Sequence, residues 1–276
     1  MLENTQQTPP TAKVIHHPHY GPALPQAKWV PAPRYLMRRD IILDIARDLK
    51  RGRFLELGCG AGGLLHDLAR LGFFAVGVDQ SKSARRIAEM LLAEVPEAEV
   101  FETADHLEEA SFDQLGAFEV LEHIEDDLTA LTDWARYLKP GGDLMVSVPA
   151  HPERWNQADV WAGHYRRYRR ADITGLVEAA GFDVTRVLCY GFPLANAMER
   201  LSAPVYARQT EARGGEEMDQ DARTEESGSD RSILTRLWPA YSSAVGTLAM
   251  RSVWKMQRRF LETDRGIGYL VVGRKR

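Results

Sequence analysis

Phe54 to Gly63 reads FLELGCGAGG, and the residues that could do chemistry are dense there. One acid, Glu56, lies inside an apolar run, and Gly58, Gly60 and Gly62 follow with Cys59 among them. The pattern predicts a buried strand, a tight turn and a helix from about Gly63. Glycines supply positive φ and carry no Cβ, so a ligand can come close to the backbone. Gly58, Gly60 and Gly63 also satisfy G-x-G-x-x-G, and Asp79 lies about twenty residues on, where a ribose-binding acid belongs. A nucleoside-bearing ligand and a plain tight turn beside a surface aspartate both fit that much. Glu56 separates the ligands. A dinucleotide site usually carries an apolar residue there, because a negative charge would face pyrophosphate, whereas a cationic ligand tolerates it.

Those residues need a scaffold, and the flanking periodicity describes one. Arg34 to Lys50 has the spacing of an amphipathic helix. Strands are expected at Phe54 to Leu57, Phe73 to Asp79, Glu99 to Thr103, Phe112 to Phe118 and Asp143 to Ala150, with helices at Leu64 to Leu71, Ser83 to Glu94 and Asp126 to Leu138. This alternation predicts a parallel sheet with helices on both faces. A helix over Asp172 to Ala180, closed by Gly181, precedes a sixth strand in FDVTRVLCYGF, and IGYLVVGRKR is the seventh.

Two parts stand outside this unit. Residues 1–33, rich in proline and polar groups, read as an extended or partly disordered arm. Residues 193–265 read as a helical insertion between strands six and seven, with an acidic, disordered linker over about 210–231. The main domain is then 34–192 with 266–276. The insertion's flanks carry more apolar residues than a solvated decoration needs, which suits a cover for a large, partly apolar acceptor, a packed cap or a homodimer interface.

Composition narrows the classes. The 276 residues are 44% hydrophobic, enough for one large α/β domain with additions. A formal net charge of −4 offers no general attraction to nucleic acid or anionic lipid. Cys59 and Cys189, both in apolar contexts, suit a reducing compartment and suggest neither a disulfide framework nor a zinc cluster. The N-terminal stretch lacks a secretory pattern and no apolar run reaches the ~18 residues of a membrane span, so a cytoplasmic location is expected. HHPH in the arm reads as part of a polar, proline-rich segment ahead of a metal tract.

LELGCGAGG, VDQS, FDQLGAFEVLEHIEDD, YLKPGGDLMVSVPA and AAGF resemble, in order and spacing, the class I S-adenosylmethionine-dependent methyltransferases. The likeness covers about Trp29 to Phe192 and resumes at Gly268. It implies an α/β, Rossmann-like sheet of seven strands with the last antiparallel, and S-adenosylmethionine across the strands' C-terminal ends. Carried over by position, Glu56 and the backbone of Gly58, Cys59, Gly60 and Gly62 would hold the methionine. Asp79, with Gln80 beside it, would hold the ribose, and Asp105 with His106 would lie by the adenine. Glu119 would sit near the sulfonium, and Arg34 resembles an arginine that some relatives aim at the cofactor carboxylate.

Methyl transfer to a hydroxyl needs alignment and a group to take the proton, and imidazole titrates near neutrality. His123, His151 and His164 follow strand ends on the cofactor side and are the candidate catalytic residues. HYRRYRRAD could bind an acidic acceptor through arginine forks or be a solvated approach to a helix. The resemblance extends to ubiquinone-type O-methyltransferases, in which the acids and histidine of EVLEH can hold a divalent metal; Glu119, Glu122 and His123 match, although no metal is the favoured expectation. O-methylation of a small or lipid-like acceptor leads, ahead of N- or C-methylation. A nucleic-acid methyltransferase would bring a basic, aromatic-laced surface or an N/D-P-P-Y-like tetrad where FEVLEH stands. A non-catalytic cofactor-binding protein is the remaining class. Peripheral membrane contact is compatible with the arginines of the insertion.

Overall fold

A computed structural model describes residues 13–201 and 231–276. Seven strands form one sheet: β3 (Arg53–Leu57), β4 (Phe74–Val78), β5 (Ala98–Phe101), β6 (Phe112–Phe118), β7 (Leu138–Pro149), β8 (Phe182–Tyr190) and β9 (Gly268–Lys275), in the order β5-β4-β3-β6-β7-β9-β8. Neighbouring pairs from β5 to β7 run parallel, while β9 lies antiparallel between β7 and β8. This is the expected sheet, with the third strand ending at Phe101 instead of Thr103. Strand order reverses between β3 and β6, so their C-terminal ends open a crevice at the switch point, where α/β sheets bind ligands.

Helices α1 (Pro33–Asp48), α2 (Gly63–Arg70) and α3 (Lys82–Leu92) cover one face, and α4 (Asp127–Ala135) and α6 (Arg170–Ala179) the other. Proline at the first position of α1 suits a helix start, where no intrahelical N–H bond is lost. Leu36, Met37, Ile41, Ile42 and Ile45 then bury its inner face. A short helix, α5 (Gln157–Ala162), stands beyond β7, and residues 194–201 form α7.

The arm departs from the extended reading. Residues 15–23 make a hairpin of β1 (Ile15–His17) and β2 (Gly21–Ala23), and Tyr20, Leu24, Trp29 and Val30 are buried. Five aromatic rings of this chain supply the reason: Tyr20 and His17 stack 4.3 Å apart, and Trp238, Tyr241 and Trp254 close around Tyr20 at 5.9–6.2 Å. Those three come from the insertion's later helices, α8 (Ser232–Tyr241) and α9 (Ala244–Gln257). The insertion thus completes the fold by covering the arm. Gln257 donates to the Met37 carbonyl at 2.9 Å, tying α9 to α1. The acidic linker placed at about 210–231 lies outside the described residues except for Arg231.

Candidate active site

Glu56 is the penultimate residue of β3, and its partners on the adjoining strands are Gly77 and Gly116. Only 4% of it is exposed, and Oε2 has no hydrogen-bond partner. Burial pushes its carboxyl well above the usual range, with Arg38 offsetting part of that. Beyond β3 the chain turns through Gly58 and Gly62, at φ 69° and 71°, values that glycine alone adopts without strain. The Gly58 and Cys59 amides bond to the Val78 carbonyl at 2.8 and 3.1 Å. A Cβ on Gly60 would meet nothing within 4 Å, so that corner of the turn faces open space.

Asp79 follows β4 and accepts from the Gly60 amide at 2.7 Å and the Ser81 amide at 2.9 Å. It thus braces the turn as well as facing the crevice side. Gln80 follows it, and Asp105 and His106 lie exposed after β5, with the His106 ring edge-on to Phe101 at 4.3 Å. The orphaned acceptor of Glu56, the open turn and the Asp79 carboxylate fit a ligand with an ammonium group and a ribose. These residues would hold S-adenosylmethionine.

Glu119, at the end of β6, adopts φ 60°, a strained value for a residue with a Cβ. Four donors offset it: Arg34 at 2.7 Å, Arg38 at 3.4 Å, the Tyr190 hydroxyl at 2.6 Å and Ser147 at 3.1 Å. Burial alone would raise its carboxyl, but Arg34 and Arg38 outweigh burial and hold it well below the usual range. Arg34 thus pairs with Glu119. Among the described residues, the side chains close enough to share a cation are Glu122, His123 and His164, a set that includes His164 in place of the expected Glu119. Arg38 and Tyr190, both remote in sequence, complete the cluster.

Glu122 is fully buried with neither side-chain oxygen bonded. Burial and Glu119 push its carboxyl well up. His123 and His164 meet edge to face at 4.7 Å, so the structure brings these two candidates together. Burial, then His164, lowers His123 to about 4, which makes it a neutral, weakly basic imidazole at pH 7. His164 differs, because its Nδ1 lies 3.0 Å from Asp159 Oδ1. Burial tends to raise Asp159, but bonds from His164 and Arg167 hold it at about 2. His151 stands apart from this pair, at φ 66°, with its ring 5.6 Å from Tyr269 and Nε2 buried without a partner.

Asp159 was not singled out by sequence. The available signal was Asn156 with Asp159, a capping box for α5, which explains the acid locally without pointing to a histidine five residues on. Three of the four arginines of HYRRYRRAD are also paired with acids from other segments. Arg166 pairs with Asp127 at 2.8 Å, Arg167 with Asp159 at 2.8 Å and Glu199 at 2.9 Å, and Arg170 with Asp264 at 2.7 Å. Arg169 instead stands exposed beside Asp172 at 3.7 Å, so three of the four arginines brace the fold and one stays on the solvated approach to α6.

Among the described residues no helix is long and apolar enough to cross a membrane. Residues 32–187 match a family model described as a methyltransferase domain. A ubiquinone biosynthesis O-methyltransferase of Alkalilimnicola ehrlichii is 34% identical over 118 residues, 41% of this chain and 47% of that one. Another, of Dinoroseobacter shibae, is 34% identical over 169 residues, 52% of this chain and 68% of its own. The chain thus spans about half to two thirds of the length of these relatives. The phosphoethanolamine N-methyltransferase 2 of Haemonchus contortus, solved with S-adenosyl-L-methionine, shares the fold with a TM-score of 0.54 at 19% identity, over 86% of this chain and 52% of that one. With the glycine turn, the flanking acids and the sheet order all as this fold requires, the chain belongs to the class I S-adenosylmethionine-dependent methyltransferases.

Proposed function

We propose that the enzyme methylates a hydroxyl oxygen on a small, partly apolar acceptor of the quinone-precursor or phenol type, with His164 as the base. The observation that carries this is the Asp159–His164 pair at 3.0 Å, set beside His123 at the β6 end of the crevice. With Nδ1–H donated to Asp159, Nε2 is left as the acceptor of the hydroxyl proton. Bound S-adenosylmethionine supplies an electrophilic methyl group and leaves as S-adenosylhomocysteine. Arg167 keeps Asp159 ionised and in place. The names of the ubiquinone-biosynthesis relatives support the acceptor class. Ile233, Leu237, Val245 and Leu248 stand exposed on α8 and α9 among Arg236 and Arg251, which supports acquiring an apolar acceptor at an anionic lipid surface.

In a screen of phenolic acceptors, His164→Ala should lower kcat by ~10²-fold or more while S-adenosylhomocysteine affinity stays near wild type. Methyl transfer unaffected by that change, or confined to amine acceptors, would refute the reading. A second reading rests on Glu122, His123 and His164, whose donor atoms lie within 4.8 Å of one another and could hold a divalent cation that polarises the hydroxyl. Activity lost on EDTA dialysis and restored by a divalent metal favours it; full activity in EDTA favours the free imidazole.

A further inference from the structure

Around the glycine turn, three polar groups from three separate segments lack a matching partner. Glu56 Oε2 is a buried acceptor without a donor, and the Tyr35 hydroxyl on α1 is buried without any hydrogen bond. The third is Arg231. Its Nη1 reaches the Val30 carbonyl at 2.9 Å and its guanidinium lies 5.2 Å from the Trp29 ring and 5.8 Å from the Tyr35 ring, with no carboxylate paired to it among the described residues. Trp29 and Tyr35 in turn abut the turn itself. A Cβ built on Gly63 would lie 2.7 Å from Trp29 and 3.1 Å from the Tyr35 hydroxyl.

A half-buried guanidinium over two aromatic faces gains some cation–π attraction, yet among the described residues no carboxylate offsets its charge. Burial, with nearby Arg38 acting in the same direction, lowers it to about 10. Arg34 and Arg38 both pair with Glu119. The methionine end of the cofactor carries one ammonium and one carboxylate. Glu56 matches the first, and Tyr35 with Arg231 matches the second.

We propose that Arg231, together with the Tyr35 hydroxyl, binds the carboxylate of the cofactor's methionine. Arg231, just ahead of α8 within the insertion, would therefore join the cofactor site to the N-terminal arm, to which its backbone N–H also donates, at the Lys28 carbonyl, at 3.3 Å. This rests on the cofactor being S-adenosylmethionine, and the choice of probes separates the two.

Titration calorimetry should compare S-adenosylhomocysteine, which has the amino-acid end, with 5′-methylthioadenosine, which lacks it. Arg231→Ala should weaken S-adenosylhomocysteine ~10- to 100-fold and leave methylthioadenosine within about twofold, the span expected for a charge-assisted carboxylate contact. Arg231→Lys should recover part of the loss. Tyr35→Phe, which removes one oxygen and keeps the packing, should weaken the first ligand alone, less than additively with Arg231→Ala. Equal losses for both ligands would make Arg231 an anchor of the arm, and unchanged S-adenosylhomocysteine affinity in both single variants would also overturn the proposal. Wild-type protein that binds neither ligand would instead overturn the cofactor itself.

Discussion

Glu56→Gln is the sharpest perturbation of the cofactor site, because it changes charge while conserving shape. In the free protein the carboxyl is buried between two glycine-bearing strands with Oε2 unbonded, so an ionised Glu56 is poorly compensated there. A charge-assisted hydrogen bond is worth ~1.5–3 kcal/mol and a neutral one ~0.5–1.5, so losing the charge should weaken S-adenosylhomocysteine by about tenfold. The same change should leave the unliganded fold no less stable, and about 1 kcal/mol gained would raise Tm by ~2–4 °C in a chain of this size. The pH dependence has a definite sign. Since burial raises the free-state carboxyl, binding an ammonium draws off its proton. Wild-type affinity should then rise with pH above the ordinary carboxylate range, and the apparent binding enthalpy should vary with the ionisation enthalpy of the buffer. The Glu56→Gln substitution should abolish both effects, and calorimetry in two buffers with a thermal melt measures all of them. Unchanged affinity, or proton release persisting in the variant, would refute the pairing of Glu56 with the ammonium.

Asp79→Ala should weaken S-adenosylhomocysteine by roughly tenfold or more and, unlike Arg231→Ala, should weaken methylthioadenosine to a similar degree, since both ligands carry the ribose. Calorimetry with the two ligands decides it, and normal affinity in a folded variant would move the ribose elsewhere. Trp254→Ala, which empties a buried aromatic site against Tyr20, should cost ~3–5 kcal/mol of stability by urea denaturation and spare the acceptor KM where the variant is folded. Preserved stability with a raised acceptor KM would instead make α9 a wall of the acceptor pocket.

The parts legible in the sequence are those whose physics is local. A glycine turn announces itself because positive φ and close approach need that residue type wherever the chain folds, and Glu56 and Asp79 are fixed to it by short spacing. Alternating strand and helix periods determine the sheet and its faces, since a period depends only on which residues repeat. These readings place Glu56, Gly58, Gly60, Gly62 and Asp79 around one corner of the crevice, and the structure agrees.

Tertiary structure decided what depends on charge partners brought from afar. Glu119 is anchored by Arg34, Arg38 and Tyr190, which lie 85, 81 and 71 residues away, and no spacing rule connects them. Three histidines were equivalent as strand-end imidazoles; packing lowers His123, sets His151 against Tyr269 and Glu153, and gives His164 the buried Asp159 carboxylate. Arg166, Arg167 and Arg170 of HYRRYRRAD looked outward in sequence and are engaged instead by Asp127, Asp159, Glu199 and Asp264, while Arg169 stays exposed. The arm looked unstructured because its own residues cannot bury Tyr20; aromatic rings more than two hundred positions later do so. Local propensity is set by neighbours along the chain, whereas counter-charge and burial are set by neighbours in space, and in this protein the second kind chooses among chemistries that the first leaves open.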